Sequence, residues 1–190
     1  LIVGHDFRFG KNRLGDFNLL QQQKYFTVEQ MPAFLLENQR VSSSKIREIL
    51  SAGDFVKAKN WLGRPWTISG HVMYGAARGR LIGFPTANIF LGERALPIAG
   101  VYMVRVHGIN QSSIAGVANV GVRPTVDGTK QILEVHLFNF NGDLYGRRVT
   151  VEFCQKIRDE IRFANLDLLK QQIAQDADAA RQYFILHGEL

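Results

Sequence analysis

A mainly β fold behind a small α/β lead-in is the class that this sequence predicts. Three observations carry it. Six short apolar segments fall at 67–72, 87–91, 101–107, 114–122, 132–140 and 149–153. Turn signals separate them at Leu91-Gly92, Gly108-Ile109-Asn110, Asp127-Gly128 and Asn141-Gly142-Asp143. After them, Leu166, Leu169, Ile173, Ala177, Ala180 and Phe184 recur at helical spacing. Six strands this short close most readily as an antiparallel barrel, because closure removes unpaired edges. The last stretch reads as one amphipathic helix packed on that barrel, with Asn165 as its N-cap.

The lead-in has a different texture. Leu1-Ile2-Val3 reads as the end of a buried strand stopped by Gly4, and a polar-aromatic loop follows from His5 to Gly10. A weak helix over 15–26 and a second strand over 27–31, stopped by Pro32, complete a strand–helix–strand unit, as in a parallel α/β sheet. Ser42, Ser43 and Ser44 precede the apolar-periodic run from Lys45 to Leu50, and Gly53 closes it. The serines read either as a helix cap or, with Arg47, as an anion site at the helix N-terminus. A short helix follows over 54–62. Gly63-Arg64-Pro65 is the natural boundary between an α/β part, 1–65, and the barrel part, 66–190.

Composition bounds the function. The 190 residues are 46% hydrophobic and 21% charged, which is ordinary globular usage. No apolar run approaches the length of a membrane span, and the N-terminus lacks the flanks of a signal peptide. It also lacks a Met and reads as the interior of a longer chain. The net charge of +6 is spread along the chain, with no basic run and no aromatic-basic RNA motif, so neither a nucleic-acid nor a membrane partner is expected. A mild positive excess suits nucleotide substrates. The single cysteine, Cys154, cannot form an internal disulfide and is expected as a buried thiol, which fits a reducing cytoplasm.

The most informative stretch runs from residue 70 to 88. Gly70, Gly75, Gly79 and Gly83 allow sharp turns and bare backbone N–H groups against a ligand, and Arg78 and Arg80 add positive charge, so phosphate is the expected guest. Pro85 fixes the chain direction. Thr86 and Asn88 then share one face at strand spacing, and their oxygens suit a hard cation such as magnesium, shared with a nucleotide's phosphates. The stretch is neither a P-loop nor a dinucleotide fingerprint, and on spacing alone a Gly-rich turn between two strands is the plainer reading. Farther on, alternation in Leu133-Glu134-Val135-His136-Leu137 puts Glu134 and His136 on one face. Glu134 is a candidate general base, and a solvated strand face is the plainer reading of the same pattern.

The string Gly79-Arg80-Leu81-Ile82-Gly83-Phe84-Pro85-Thr86-Ala87-Asn88 closely resembles the signature of riboflavin kinases, Gly-x-x-x-Gly-[Phe/Tyr]-Pro-Thr-Ala-Asn. The resemblance implies a six-stranded Greek-key barrel with a C-terminal helix. It implies a loop over the ATP phosphates that includes Gly75, Gly79, Arg80, Gly83 and Pro85, with Thr86 and Asn88 ligating magnesium. Glu134, in Leu-Glu-Val-His, is then the base for the 5′-hydroxyl of riboflavin. Ala118 to Thr125 is similar to the family's Asn-x-Gly-x-[Arg/Lys]-Pro-Thr, which makes Arg123 a flavin-side candidate, although a turn-stabilising arginine fits too. Ile157 to Phe163 is similar to Ile-Arg-x-Glu-x-Lys-Phe, with Arg162 for the Lys, a loop that closes over the flavin in relatives, with Arg158 as its candidate, although an exposed charged turn fits too.

The lead-in resembles the FMN adenylyltransferase module of bacterial bifunctional FAD synthetases, which carries Gly-x-Asp-Phe-x-Phe-Gly and later Ile-Ser-Ser-Thr-x-Ile-Arg. Here these are Gly4 to Gly10, with Asp6 and Phe7, and Val41 to Arg47, with Ser42, Ser43 and Arg47. The module's His-x-Gly-His motif does not occur in the chain, and residues 1–65 are expected to be a remnant that transfers no adenylyl group alone. The expected function is ATP- and magnesium-dependent phosphorylation of riboflavin to FMN. The expected partners are riboflavin, FMN, ATP, ADP and a preceding part of the chain. The competing readings are a flavin- or nucleotide-binding module without turnover and a basic RNA-binding barrel.

Overall fold

The short run Ile2–Gly4 (β1) pairs in parallel with Glu29–Met31 (β2), and the helix Phe17–Gln21 (α1) lies between them in sequence. Two strands can run parallel only when the connection crosses back, so this is the strand–helix–strand unit that the sequence predicts. Asp16 starts α1 by accepting the Leu19 N–H at 3.0 Å, and α1 is much shorter than the stretch 15–26 expected of it. A hairpin that the pattern did not announce joins Leu35–Leu36 (β3) to Gln39–Arg40 (β4). Its turn residues, Glu37 and Asn38, both have positive φ, as a tight two-residue hairpin turn requires.

The computed structural model describes residues 1–75, 78–125 and 128–188, and the side chains at 78, 81, 123–125, 128 and 129 lie outside that description. The turn expected at Asp127-Gly128 also lies outside it in part. Contacts divide the chain into two compact units, Leu1–Lys45 and Ile46–Leu190. The helix Ser43–Ser51 (α2) begins in the first and continues in the second. Its cap is Ser42, whose Oγ accepts the Lys45 N–H at 3.3 Å. The helix Phe55–Leu62 (α3) is capped by Asp54, which accepts the Lys57 N–H, and it ends at Gly63 in the left-handed region.

Six strands follow: Thr67–Met73 (β5), Ala87–Ile89 (β6), Gly100–His107 (β7), Ile114–Thr125 (β8), Gly128–Leu137 (β9) and Arg148–Arg158 (β10). They close into one barrel in the order β10-β5-β6-β9-β8-β7. Strands β7, β8 and β9 form a meander, and β10 returns to lie beside β7, which makes the connection a Greek key. Alternation decides what faces inward. Val72, Val104, Val120, Leu133, Val135, Val149 and Val151 are almost fully buried. Branched side chains of this size fill a narrow six-stranded interior. From α3, Phe55 stacks on Phe153 and meets the edge of Tyr102, and so caps this interior.

The helix Leu166–Leu186 (α5) lies on the outer face of the meander. Asn165 caps it by accepting the Leu168 N–H at 2.9 Å, as expected. Ala177, Ala180 and Phe184 pack on Met103, Ala115 and Phe138. Leu166, which the helical spacing included in this stripe, is exposed, so the buried stripe begins farther along. Cys154 is half-buried under this helix, not fully buried, with the Arg105 Nη1 3.0 Å from its sulfur. Strand β10 also outruns the expected 149–153. Register shifts after Phe153 and after Lys156 break its alternation, which hid its last residues in the sequence pattern.

Candidate active site

Five of the six barrel strands each place one residue in a row that crosses the barrel wall. In register, Asn88 of β6 stands opposite Glu134 of β9, Glu134 opposite Asn119 of β8, Asn119 opposite Val101 of β7, and Val101 opposite Arg158 of β10. Directly paired residues point to one face. Here that is the outer face, because Leu133 and Val135 on either side of Glu134 are buried inside. Helix α5 covers the meander but leaves a groove over this row. The resulting cavity of about 350 Å³ is walled by Asn88, Asn119, Glu134, Arg158, the aromatic rings of Phe84 and Phe163, and Asp176 and Ile173 of α5.

A second cavity, of about 560 Å³, opens at the barrel mouth between the Gly-rich segment and the loop 140–145. Arg80, Pro85, Asp143 and Tyr145 are on its wall. Thr86 borders both cavities.

The glycines fix this rim by close approach. A Cβ on Gly75 would run into the Asn88 amide, and one on Gly79 would run into the Phe84 carbonyl oxygen. Gly79 begins a tight turn in which its own carbonyl accepts the Phe84 N–H at 2.8 Å, and Gly83 completes the turn at φ +88°. This turn begins within the one-turn helix Arg78–Leu81 (α4), which carries Arg80.

His136 ties the rim to β9. Its Nδ1 lies 2.9 Å from the Pro85 carbonyl. A carbonyl only accepts, so Nδ1 carries the proton and Nε2 holds the lone pair in the neutral ring. Burial holds the imidazole below its ordinary pKa, and the charge of Arg181 adds to this, while the Pro85 bond works in the opposite direction. The ring meets Phe84 and Phe138 edge-on.

Arg158 sits at the end of β10. Its Nε and Nη2 donate to Asp176 at 2.7 to 3.1 Å, and its Nη1 donates to the Asp159 carbonyl at 2.9 Å. The sequence pattern put Arg158 in a loop, but it is strand-borne, and the loop begins after it. Arg123 lies on β8 opposite Lys130, and its side chain is outside the described residues. Among the described residues, no cluster of three or more His, Cys, Asp or Glu is placed to hold a metal. The donors beside Glu134 are the hydroxyl of Thr86 and the amide of Asn88, a neutral oxygen set that fits magnesium only in company with phosphate oxygens.

The residues predicted for adenylyl transfer belong to the lead-in and to α2. Asp6 pairs with Arg40 at 2.9 Å, and the hydrogen bond from that guanidinium holds its carboxyl below the usual range. Phe7 stacks on Phe9. Ser42 is spent as the cap of α2, Ser43 opens that helix, and Arg47 is exposed on it.

Comparison with known proteins agrees with this architecture. A family model described as riboflavin kinase matches residues 62–184. The chain belongs to the riboflavin kinase family. A second model, described as FAD synthetase, matches residues 1–45. A bifunctional riboflavin kinase/FMN adenylyltransferase of Haemophilus influenzae is 48% identical over 187 residues, which cover 97% of this chain and 61% of that protein. A protein of the same description from Pseudomonas fluorescens is 51% identical, covering 95% of this chain and 59% of its own. The chain thus spans about three fifths of the length of these relatives. A crystal structure from Streptococcus pneumoniae described as a macrolide-efflux protein superposes with a TM-score of 0.73 at 36% identity, covering 95% of this chain and 60% of that one.

Within this riboflavin kinase fold, sequence reasoning did not select Asn119, Asp176, Glu160, Phe84 or Phe163 as site residues, yet all line the first cavity. One signal was available for Asp176: an acid three residues after Ile173, inside the apolar stripe of α5. The two phenylalanines carried no such signal, because their approach depends on how two loops fold back.

Proposed function

We propose that the chain transfers the γ-phosphoryl group of ATP to the 5′-hydroxyl of riboflavin, giving FMN and ADP. The observation that carries this reading is the shared wall. Glu134 faces the first cavity in register with Asn88, and Thr86 borders both cavities. A flavin in the first cavity and a nucleotide in the second would bring hydroxyl and γ-phosphate together at this point. The apolar wall around Phe84, Phe163 and Ile173 suits an isoalloxazine ring. The Gly-rich rim with Arg80 suits phosphates.

The ribityl oxygen attacks the γ-phosphorus, the bond from that phosphorus to the β–γ bridging oxygen breaks, and ADP leaves with the electron pair. Glu134 accepts the hydroxyl proton as the new bond forms. Thr86 and Asn88 would hold magnesium, which supplies charge neutralisation on the phosphates when bound. His136 holds the Pro85 carbonyl and so keeps Thr86 beside the base strand. The domain reading follows the same lines: 66–190 as the kinase module, and 1–65 as part of an adenylyltransferase module. The five histidines are far apart in sequence, with no His-x-Gly-His, so FAD is not an expected product of this chain alone.

The test is incubation with riboflavin, ATP and magnesium, with flavins separated by chromatography. FMN without FAD supports the reading. FAD as a product would overturn the view of residues 1–65. Bound riboflavin without FMN would favour a binding module.

A further inference from the structure

We infer that Asp176 of α5 is a positioning residue for the flavin side of the site, acting through Arg158 on the segment 159–163. The inference rests on the reading that the first cavity takes riboflavin.

Asp176 is 4% exposed, the single buried charged residue among those described. Both its oxygens receive Arg158, and Gln172, one helical turn earlier, donates to Oδ1 at 3.0 Å. Docking α5 does not need this carboxylate. Ala177, Ala180 and Phe184 already bury an apolar stripe, and an apolar residue at 176 would dock at least as well as an ion pair. The geometry points to a different use. Arg158 is the last residue of β10, and its Nη1 also holds the Asp159 carbonyl, where the chain leaves the barrel. Glu160, Ile161 and Phe163, next along, form one side of the first cavity. The guanidinium also lies 5.9 Å from the Phe163 ring. One fork thus joins the helix, the strand end and the wall segment. The second cavity shares Thr86 with the first but none of these residues. Loss of the fork should therefore loosen the flavin wall and leave the nucleotide side intact.

The experiment compares the chain with Asp176→Asn, Arg158→Lys and the double variant Arg158→Gln/Asp176→Asn. It reads riboflavin affinity by flavin fluorescence, KM for riboflavin and for ATP, kcat, and amide hydrogen exchange along the chain. Expected for Asp176→Asn is a rise of about tenfold or more in riboflavin Kd and KM, with ATP KM and kcat within about threefold. Exchange should quicken at 159–163 and not in the barrel strands. The double variant should be no worse than the single ones, as for groups acting as one unit. If Asp176→Asn does not fold, Arg158→Lys, which keeps the charge but loses the fork, carries the same expectation. Riboflavin affinity within about twofold of the parent in a folded variant would overturn the inference, as would a fall in thermal stability with unchanged KM. A parent chain that neither binds nor phosphorylates riboflavin overturns the reading of the cavity itself. In that case the exchange pattern at 159–163 still decides whether Asp176 holds the segment.

Discussion

Replacing Glu134 by Gln tests the chemistry most directly. The side chain keeps its size and loses the ability to take a proton. In the barrel wall, Glu134 stands between Asn88 and Asn119, and backbone pairing through Ala87–Val135 and Val120–Leu133 is untouched by the change. Stability should therefore move by less than about 1 kcal/mol, as for substitutions outside the core. Directly opposed residues have Cβ atoms about 5 Å apart, so the carboxylate stands beside the Asn88 amide and close to the Thr86 rim. A base in that place contributes about 10²- to 10⁴-fold, or roughly 3 to 5 kcal/mol of the barrier. We expect kcat for FMN formation to fall by at least ~10²-fold, in Glu134→Ala as in Glu134→Gln, with ATP affinity largely kept. Single-turnover FMN formation, a nucleotide-binding titration and a thermal melt together separate the three effects. A kcat within about tenfold of the parent would refute the reasoning. The Glu160 carboxylate, on the wall of the same cavity and against Gly121, would then be the one to replace.

Four further outcomes follow from the same geometry. Thr86→Ala should weaken magnesium-dependent nucleotide binding; unchanged affinity at limiting magnesium would remove Thr86 from the metal set. Gly75→Ala should push the Asn88 amide aside and reproduce that weakening in a folded protein, since the collision is with one side chain at the rim. Phe184→Ala should cost about 3–5 kcal/mol, because the ring is fully buried between α5 and the barrel, and should lower Tm by roughly 6–20 °C in a melt. For His136 the sign runs as linkage requires. Its folded pKa is depressed below the ordinary 6.5, chiefly by burial, so the unfolded chain binds the proton first as pH falls. Its contribution is complete above about pH 6.5 and is lost as pH falls toward the folded pKa. His136→Asn keeps a donor for Pro85 and should flatten the stability–pH curve in that window; an unchanged curve would argue against a buried neutral imidazole.

Local pattern explains what was legible in the sequence. All six barrel strands and the Asn165-capped helix were readable from alternation, turn residues and helical spacing, which are properties of neighbours along the chain. The Pro85-Thr86-Ala87-Asn88 string and the Glu134–His136 face were legible for the same reason. The α/β lead-in was legible as strand–helix–strand, but its β3–β4 hairpin was missed because Glu37 and Asn38 are not the Gly-containing pair that marks such turns. The far end of β10 was hidden by its register shifts, which interrupt the period that identifies a strand.

What the sequence alone determined is therefore a set of elements and the residue types each presents on a face. Tertiary structure decided which faces meet. The row Asn88–Glu134–Asn119–Val101–Arg158 exists because five strands far apart in sequence share one register, and a slip of one residue in a strand would turn its member of the row into the barrel. Thr86 borders two cavities only because the barrel closes and the Gly-rich segment folds against its mouth. Asp176 reads as a charged residue of a helix in the sequence; burial on the inward face of α5 and the fork from Arg158 give it a place beside the first cavity. These are long-range pairings, and each depends on chain closure over tens of residues, which no window of neighbouring residues encodes.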